Sequence, residues 1–411
     1  MFSFVQNWFS PSVNPIGIDF GSDHLRMAQV QLDWADHKLL AAASTDVPSY
    51  AQSDFDARLD FFSEAVRELL TRGHFKARRA VLALPASLMY VQHVRLPKRD
   101  ESKLKDAVRA SVKGKLPIET DGALIRHIIA GDVDGGRNQE VIVLAAPREA
   151  VDKYLAACSR AKLDVVGMMV EPCALVDCFG HIHRRKIDAS VVSMYIDLGA
   201  SATRVTIARG QQILFARSIP LGAEEYNRAV AEAIGVSMAD ARLLRLKLAV
   251  AETGHAISHD PRNVSPVVEP PVDQNAAPIE AACSAMTARL IDALTACRTD
   301  HLATFSALPV QRLIFVGGEA RQRSRCLRIA REMALTAQIG DPLIRMARAS
   351  EIPIDTGIDR RLPQPAWAVA IGLSMGAPQQ ATSQDQPATA GVAVAADRSS
   401  TIADLSLKGA A

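Results

Sequence analysis

An α/β protein of two lobes, with a small α+β block inserted in the first, is the architecture that three features of the chain predict. The first is a strand, a tight turn with the text Asp19-Phe20-Gly21-Ser22-Asp23, and a second strand. The second is a repeat of that unit at Tyr195-Ile196-Asp197-Leu198-Gly199-Ala200-Ser201. The third is a later apolar strand, Leu313 to Val316, that runs through Gly317-Gly318 into a helix.

A chain of 411 residues is too long for one ordinary core, and its 48% of hydrophobic residues is enough to fill two. The 47 basic and 45 acidic residues nearly cancel, and aromatics are only 5%. With no basic stripe and few stacking platforms, a nucleic-acid partner is not expected. Six cysteines without a CxxC pair, Cys158, Cys173, Cys178, Cys283, Cys297 and Cys326, read as buried reduced thiols and favour the cytosol. No run of about 18 apolar residues suggests a membrane span. The first fifteen residues, MFSFVQNWFSPSVNP, lack the basic and apolar regions of a secretory leader.

Residues 1–13 form an N-terminal arm, in which Phe2, Phe4, Trp8 and Phe9 either pack on the first strand or touch a partner or membrane. The core of the first lobe is assigned to 14–84 and 163–192. It starts with the hairpin of 16–30, in which Leu25, Met27 and Gln29 alternate, and continues with a helix over 54–72. That helix places Phe61, Phe62, Ala65, Val66, Leu69 and Leu70 at helical spacing, and a buried strand over 79–84 follows it to Pro85. Residues 85–162 read strand, charged helix, strand, strand, helix, the inserted subdomain expected to bind a partner. The second lobe is assigned to 193–375, helical between about 222 and 310 apart from a surface loop at 255–278. From 376 to 411 the text is polar and small, a disordered tail.

The chemistry expected of the hairpins is anion binding. Glycine permits positive φ and close approach, so backbone NH groups of such a turn converge on a phosphate. The candidate phosphate-binding residues are Gly17, Asp19, Gly21 and Ser22 in the first hairpin and Asp197, Gly199 and Ala200 in the second. A bare carboxylate beside phosphates is repelled unless a divalent cation intervenes, so Asp19 and Asp197 read as ligands of Mg²⁺ through its waters. Gly317 and Gly318 would let an adenosine or α-phosphate pass close to the backbone at a helix start. Each motif alone is ordinary turn chemistry; their order along three separate strands carries the argument.

Other signals weigh less. His181 and His183 lie near Cys178, but Arg184, Arg185 and Lys186 follow at once and oppose a cation, so a solvated helix end is the better reading. No Gly-x-Ser-x-Gly elbow, P-loop or HExxH occurs, which leaves α/β-hydrolase, P-loop NTPase and zincin readings without support.

The ordered set resembles the phosphate 1, phosphate 2 and adenosine motifs of the actin-like (ribonuclease-H-like) ATPase superfamily. More narrowly it is similar to the PilM family of type IV pilus assembly proteins, relatives of FtsA. The segments that carry the likeness run from Ile16-Gly17-Ile18-Asp19-Phe20-Gly21-Ser22 through Leu84-Pro85, Leu96-Pro97 and Leu116-Pro117-Ile118, then Glu171-Pro172 and Asp197-Leu198-Gly199-Ala200. They continue through Ile219-Pro220-Leu221-Gly222, Ala241 to Lys247, Gly317-Gly318, Asp341-Pro342 and Ala370-Ile371-Gly372-Leu373. The resemblance implies a cytoplasmic scaffold that binds ATP and Mg²⁺ as conformational ligands, with at most slow hydrolysis. It implies a PilN-like inner-membrane partner, captured through its short cytoplasmic peptide, and a peripheral place between the pilus assembly ring and the motor. A homo-oligomer is left open. In ATPases of the superfamily the position matching Glu171 orients the attacking water; a carboxylate capping a helix start before Pro172 is the alternative.

Two departures stand out. Arg26 occupies a position where the family usually has Lys, and Glu319-Ala320-Arg321 follows Gly317-Gly318 where small residues are usual. Glu319 would repel a triphosphate unless turned away or paired with a cation. A sugar or acetate-type kinase, a working ATPase of the same fold, and a degenerate relative without nucleotide remain the alternatives.

Overall fold

The structure, a computed structural model, describes residues 12–32, 37–180, 190–255, 276–348, 358 and 361–376. The expectations for the arm before residue 12, the loop over 256–275, the His181 and His183 pair and the tail after 376 lie outside the described residues.

In chain order the first elements are β1 (Ser12–Val13), β2 (Ile16–Phe20), β3 (His24–Leu32), β4 (His37–Asp46), α1 (Tyr50–Ser53), α2 (Phe55–Arg72) and β5 (Arg79–Ala83). Next come β6 (Tyr90–Pro97), α3 (Glu101–Val112), β7 (Ala123–Val133), β8 (Asn138–Pro147), α4 (Arg148–Arg160), β9 (Asp164–Met169) and α5 (Glu171–Gly180). Then follow β10 (Val192–Leu198), β11 (Thr203–Arg209), β12 (Gln212–Ile219), α6 (Ala223–Ile234), α7 (Met238–His255) and α8 (Ala276–Thr304). The chain closes with β13 (Arg312–Val316), α9 (Arg323–Glu332), β14 (Thr336–Ile339), β15 (Met346–Arg348) and α10 (Ala368–Met375).

Among the described residues these elements form two compact units, one of 12–192, 206–216 and 340–376, the other of 193–205 and 217–339. The first sheet has the order β15-β4-β3-β2-β5-β9, with β1 on β3, and the second the order β12-β11-β10-β13-β14. From β4 and from β12 onward, both sheets therefore follow one plan: third, second, first, fourth and fifth strand. In the first sheet β2, β3 and β4 pair antiparallel, whereas β5 joins β2 and β9 joins β5 in parallel. In the second, β13 joins β10 and β14 joins β13 in parallel.

Helix α2 starts where Asp54 accepts a hydrogen bond from the Ala57 amide at 2.9 Å, an N-cap that satisfies an otherwise unpaired donor. Its buried stripe of Leu59, Phe62, Val66 and Leu69 packs on Ile16, Ile18, Phe20 and Met27 of the sheet. Tyr154 and Ala157 of α4 join the same core, with the Phe62 and Tyr154 rings meeting edge-on at 5.2 Å. Burying one such aromatic stabilises the lobe by about 2–3 kcal/mol. The block 85–162 thus divides differently from the expectation: β6, β7, β8 and α3 have their own core of Val94, Leu104, Val108, Val112, Val141 and Val143, while α4 serves the first lobe.

Helix α10 also departs from the expectation, which placed everything up to residue 375 in the second lobe. It packs on α5, β2 and β3 of the first unit. Gly17 makes this docking feasible, since a Cβ there would stand 2.0 Å from the Ala370 carbonyl oxygen. Ser374 Oγ donates to the Pro15 carbonyl at 2.8 Å and accepts from the Val30 amide at 3.0 Å, which ties the helix to the start of β2. Because α10 is buried on all sides, its apolar pattern carries no periodicity that would select a sheet.

Candidate functional site

The first hairpin joins β2 to β3 with Asp19 opposite Arg26 and Phe20 opposite Leu25. Asp19 is 9% exposed, and the turn residues 21–24 are half-buried. Gly21 has no positive φ, and a Cβ there would meet only the His24 carbonyl oxygen, at 3.3 Å. Gly17, in the same strand, also serves the packing of α10. The turn is held by a residue that lies outside the sequence motifs. Arg58 of α2 donates to the Phe20 and Ser22 carbonyls at 3.4 Å each and to the Gly21 carbonyl, and its guanidinium lies 4.5 Å over the Phe20 ring. One signal was available: Arg58 falls on the buried stripe of α2, where an unpaired charge is costly.

In the second unit the β10–β11 hairpin closes through the Gly199 amide, which donates to the Ala202 carbonyl at 3.1 Å. The start of α6 grips this turn: the Ala223 and Glu224 amides donate to the Gly199 and Ala200 carbonyls at 3.0 and 2.9 Å. Gly222 is needed there, because a Cβ would stand 2.3 Å from the Ala200 carbonyl oxygen. Asp197, 5% exposed, is engaged by Arg204, whose Nη1 lies 2.7 Å from Oδ2. Arg204, its side chain 17% exposed, thus already stands against the Asp197 charge where the reading of Asp197 as a Mg²⁺-water ligand would place a cation. Among the described residues no cluster of three or more His, Cys, Asp or Glu side chains is arranged for a metal.

Gly317 and Asp197 do come together. Gly317 has φ +86°, a conformation that favours glycine, and a Cβ on it would stand 2.3 Å from Asp197 Oδ1. Gly318 opens a short 3₁₀ turn, Gly318–Arg321, ahead of α9. Glu319 in that turn is cation-paired: Arg245 of α7 reaches it at 2.6 and 3.0 Å and Arg325 of α9 at 3.0 Å. Burial by itself would raise the Glu319 carboxyl, but the Arg245 and Arg325 guanidiniums outweigh it and hold the group below the usual glutamate value. Arg325 stacks 3.8 Å over the Tyr226 ring, and Arg245 Nε donates to Asn227 Oδ1 at 2.9 Å. The turn after β13 therefore carries two arginines against one carboxylate.

Glu171 is the first residue of α5, before Pro172, and is 4% exposed. In the inserted subdomain, an open depression of about 800 Å³ lies beside the end of α3, lined by Asp106, Arg109, Lys113, Leu116, Glu119 and Asp121 among others. Arg109 spans it, donating to the Thr120 carbonyl at 2.9 Å and to Asp121 Oδ1 at 3.1 Å.

A sequence-family model described as "Type IV pilus assembly protein PilM" matches residues 17–253. No curated protein matches the chain. Among solved structures, a PilM-PilN type IV pilus biogenesis complex is similar at 19% identity and a TM-score of 0.70, covering 89% of this chain and 98% of that one. The ethanolamine utilization protein EutJ from Carboxydothermus hydrogenoformans is similar at 13% identity and a TM-score of 0.47, over 89% of this chain and 90% of that one. Among the described residues no helix is long and apolar enough to cross a membrane.

Proposed function

The chain belongs to the PilM family of type IV pilus assembly proteins, and on that premise we propose that it is a cytoplasmic, ATP-binding scaffold of type IV pilus or related pseudopilus biogenesis. Its proposed partner is the cytoplasmic N-terminal peptide of a PilN-like inner-membrane protein, taken up by the inserted subdomain. The protein is then peripheral to the inner membrane through that partner.

One observation carries the nucleotide half of the proposal: both sheets share one strand order, and each opens with an Asp-x-Gly hairpin between its first two strands. Asp19, Gly21 and Ser22 are the proposed contacts from the first hairpin, with Gly199 and Ala200 from the second. Gly317 and Gly318 are proposed for the adenosine side, and Glu171 for orienting a water if hydrolysis occurs. ATP acts here as a conformational ligand, which requires different affinity for two arrangements of the protein and no turnover. The depression beside α3 supports the peptide half, because its mixed charges and Leu116 suit an extended amphipathic segment.

Calorimetric titration of ATP into the parent protein and into Asp19→Ala and Gly199→Glu tests the first half. Binding by the parent and loss in both variants is the expected result; titrating the partner peptide with and without ATP then tests the second. Absence of ATP binding by the parent would remove the nucleotide and leave a scaffold that kept the fold. That second reading, a relative that no longer binds nucleotide, is favoured by one specific feature: Asp197 and Glu319 are both already balanced by arginines.

A further inference from the structure

We infer that Arg204 takes the place of a divalent cation at the second hairpin, so that Asp197 does not call for Mg²⁺ when ATP binds; the inference rests on the nucleotide-binding reading above. Both oxygens of Asp197 are enclosed by protein. Oδ2 holds Arg204 Nη1 at 2.7 Å, with the two side chains only 7% and 17% exposed. Oδ1 faces Gly317 so closely that even a methyl group on that residue would reach it at 2.3 Å. A hydrated Mg²⁺ needs near-octahedral room for its waters and a carboxylate free to accept from them. Giving Asp197 to Mg²⁺ would also take from the Arg204 guanidinium the carboxylate that it holds at 2.7 Å.

The guanidinium is moreover placed where a phosphate would arrive. A Cβ built on Gly199 would lie 3.1 Å from Arg204 Nη1 and 3.6 Å from Nη2, so the cation runs along the turn itself. A guanidinium carries five donors in a planar fork, enough to hold a carboxylate and a phosphate oxygen together. Charge sets a further condition. Asp197 with Arg204 sums to zero, whereas Asp197 with Mg²⁺ would sum to +1, so the pair attracts a polyphosphate less strongly than a Mg²⁺-loaded carboxylate would.

The test is calorimetric titration of ATP into the full chain at constant ionic strength, once with Mg²⁺ and once with EDTA. The parent's Kd is expected to differ by less than about threefold between the two conditions, a small free-energy difference. In Arg204→Ser, which frees Asp197, Mg²⁺ is expected to tighten binding by about tenfold or more. Arg204→Lys, which keeps the charge but not the planar fork, should keep the parent's indifference to Mg²⁺ while binding ATP more weakly. Parent binding seen only with Mg²⁺ overturns the inference and leaves the nucleotide reading standing; binding in neither condition overturns both. The comparison in the parent decides the matter by itself if Arg204→Ser does not fold.

Discussion

Arg245 and Glu319 form a bidentate pair, Nη1 to Oε2 at 2.6 Å and Nη2 to Oε1 at 3.0 Å, with the arginine side chain only 3% exposed. The pair fastens α7 to the turn that follows β13, and Arg325 binds the same carboxylate from α9. Removing one partner leaves the others charged and buried. Arg245→Ala is expected to destabilise the protein by about 3–5 kcal/mol, read by urea unfolding. The double variant Arg245→Leu with Glu319→Leu should recover part of that loss, because it also removes the stranded carboxylate.

The same glutamate gives the protein an acid-sensitive contribution. Its carboxyl is held below the ordinary value in the folded state, so the unfolded chain takes up the proton first as pH falls. The stabilisation is fully present above the unfolded value of about 4.3 and is lost as pH drops through the lower folded value. Glu319→Gln should therefore show a shallower fall in stability below that pH than the parent, measured by denaturant unfolding across the acid range. Equal slopes would mean that Glu319 has no depressed pKa.

Two glycines with positive φ separate steric need from conformational preference. At Gly317, with φ +86°, a side chain would collide with Asp197 and with the Leu198 carbonyl oxygen at 2.5 Å, so Gly317→Ala is expected to cost about 3 kcal/mol or more. At Gly135, with φ +68°, nothing lies within 4 Å, and Gly135→Ala should cost only about 1–2 kcal/mol. Thermal unfolding of the two variants side by side checks the order.

Tyr154 is fully buried beneath the first hairpin, and among the described residues its hydroxyl has no hydrogen-bond partner. Burial pushes its phenol well above the usual value; the charges of Cys158 and Asp19 add to the shift and Arg58 opposes it. A buried hydroxyl without a partner is a net cost, so Tyr154→Phe should leave stability unchanged or raise it by about 1 kcal/mol. A clear loss in urea unfolding would show that the hydroxyl is satisfied.

The buried cysteines are expected to be inert in the native protein. Burial pushes the Cys158 and Cys326 thiols up to about 12, and Cys178 and Cys297 are raised by the same cause. Only Cys283 is not fully buried. A thiol reagent at mildly alkaline pH should label Cys283 alone before denaturant is added, since the thiolate is the reactive form.

The elements that could be read along the chain were those whose signal is local. Alternation at period two, a glycine turn and a capped amphipathic helix each declare themselves within a dozen residues, which is why the Asp19 and Asp197 hairpins, α2 and the strand before Gly317 were legible. The family likeness followed from their order. What each glycine does was not legible: Gly17 and Gly222 serve close backbone packing against Ala370 and Ala200, partners far away in sequence or known only once the chain has turned.

The sequence by itself determined two sheets with a hairpin at the head of each, because backbone preferences and hydrophobic periodicity act between near neighbours. Only the tertiary structure decided where the charges find their partners. Arg58 caps a turn 37 residues earlier, Arg204 balances Asp197 across a hairpin, and Arg245 meets a glutamate 74 residues on. It also decided which sheet receives α10, a helix apolar on every side. Pairing of charges and docking of such a helix depend on distances that exist only after the backbone has closed.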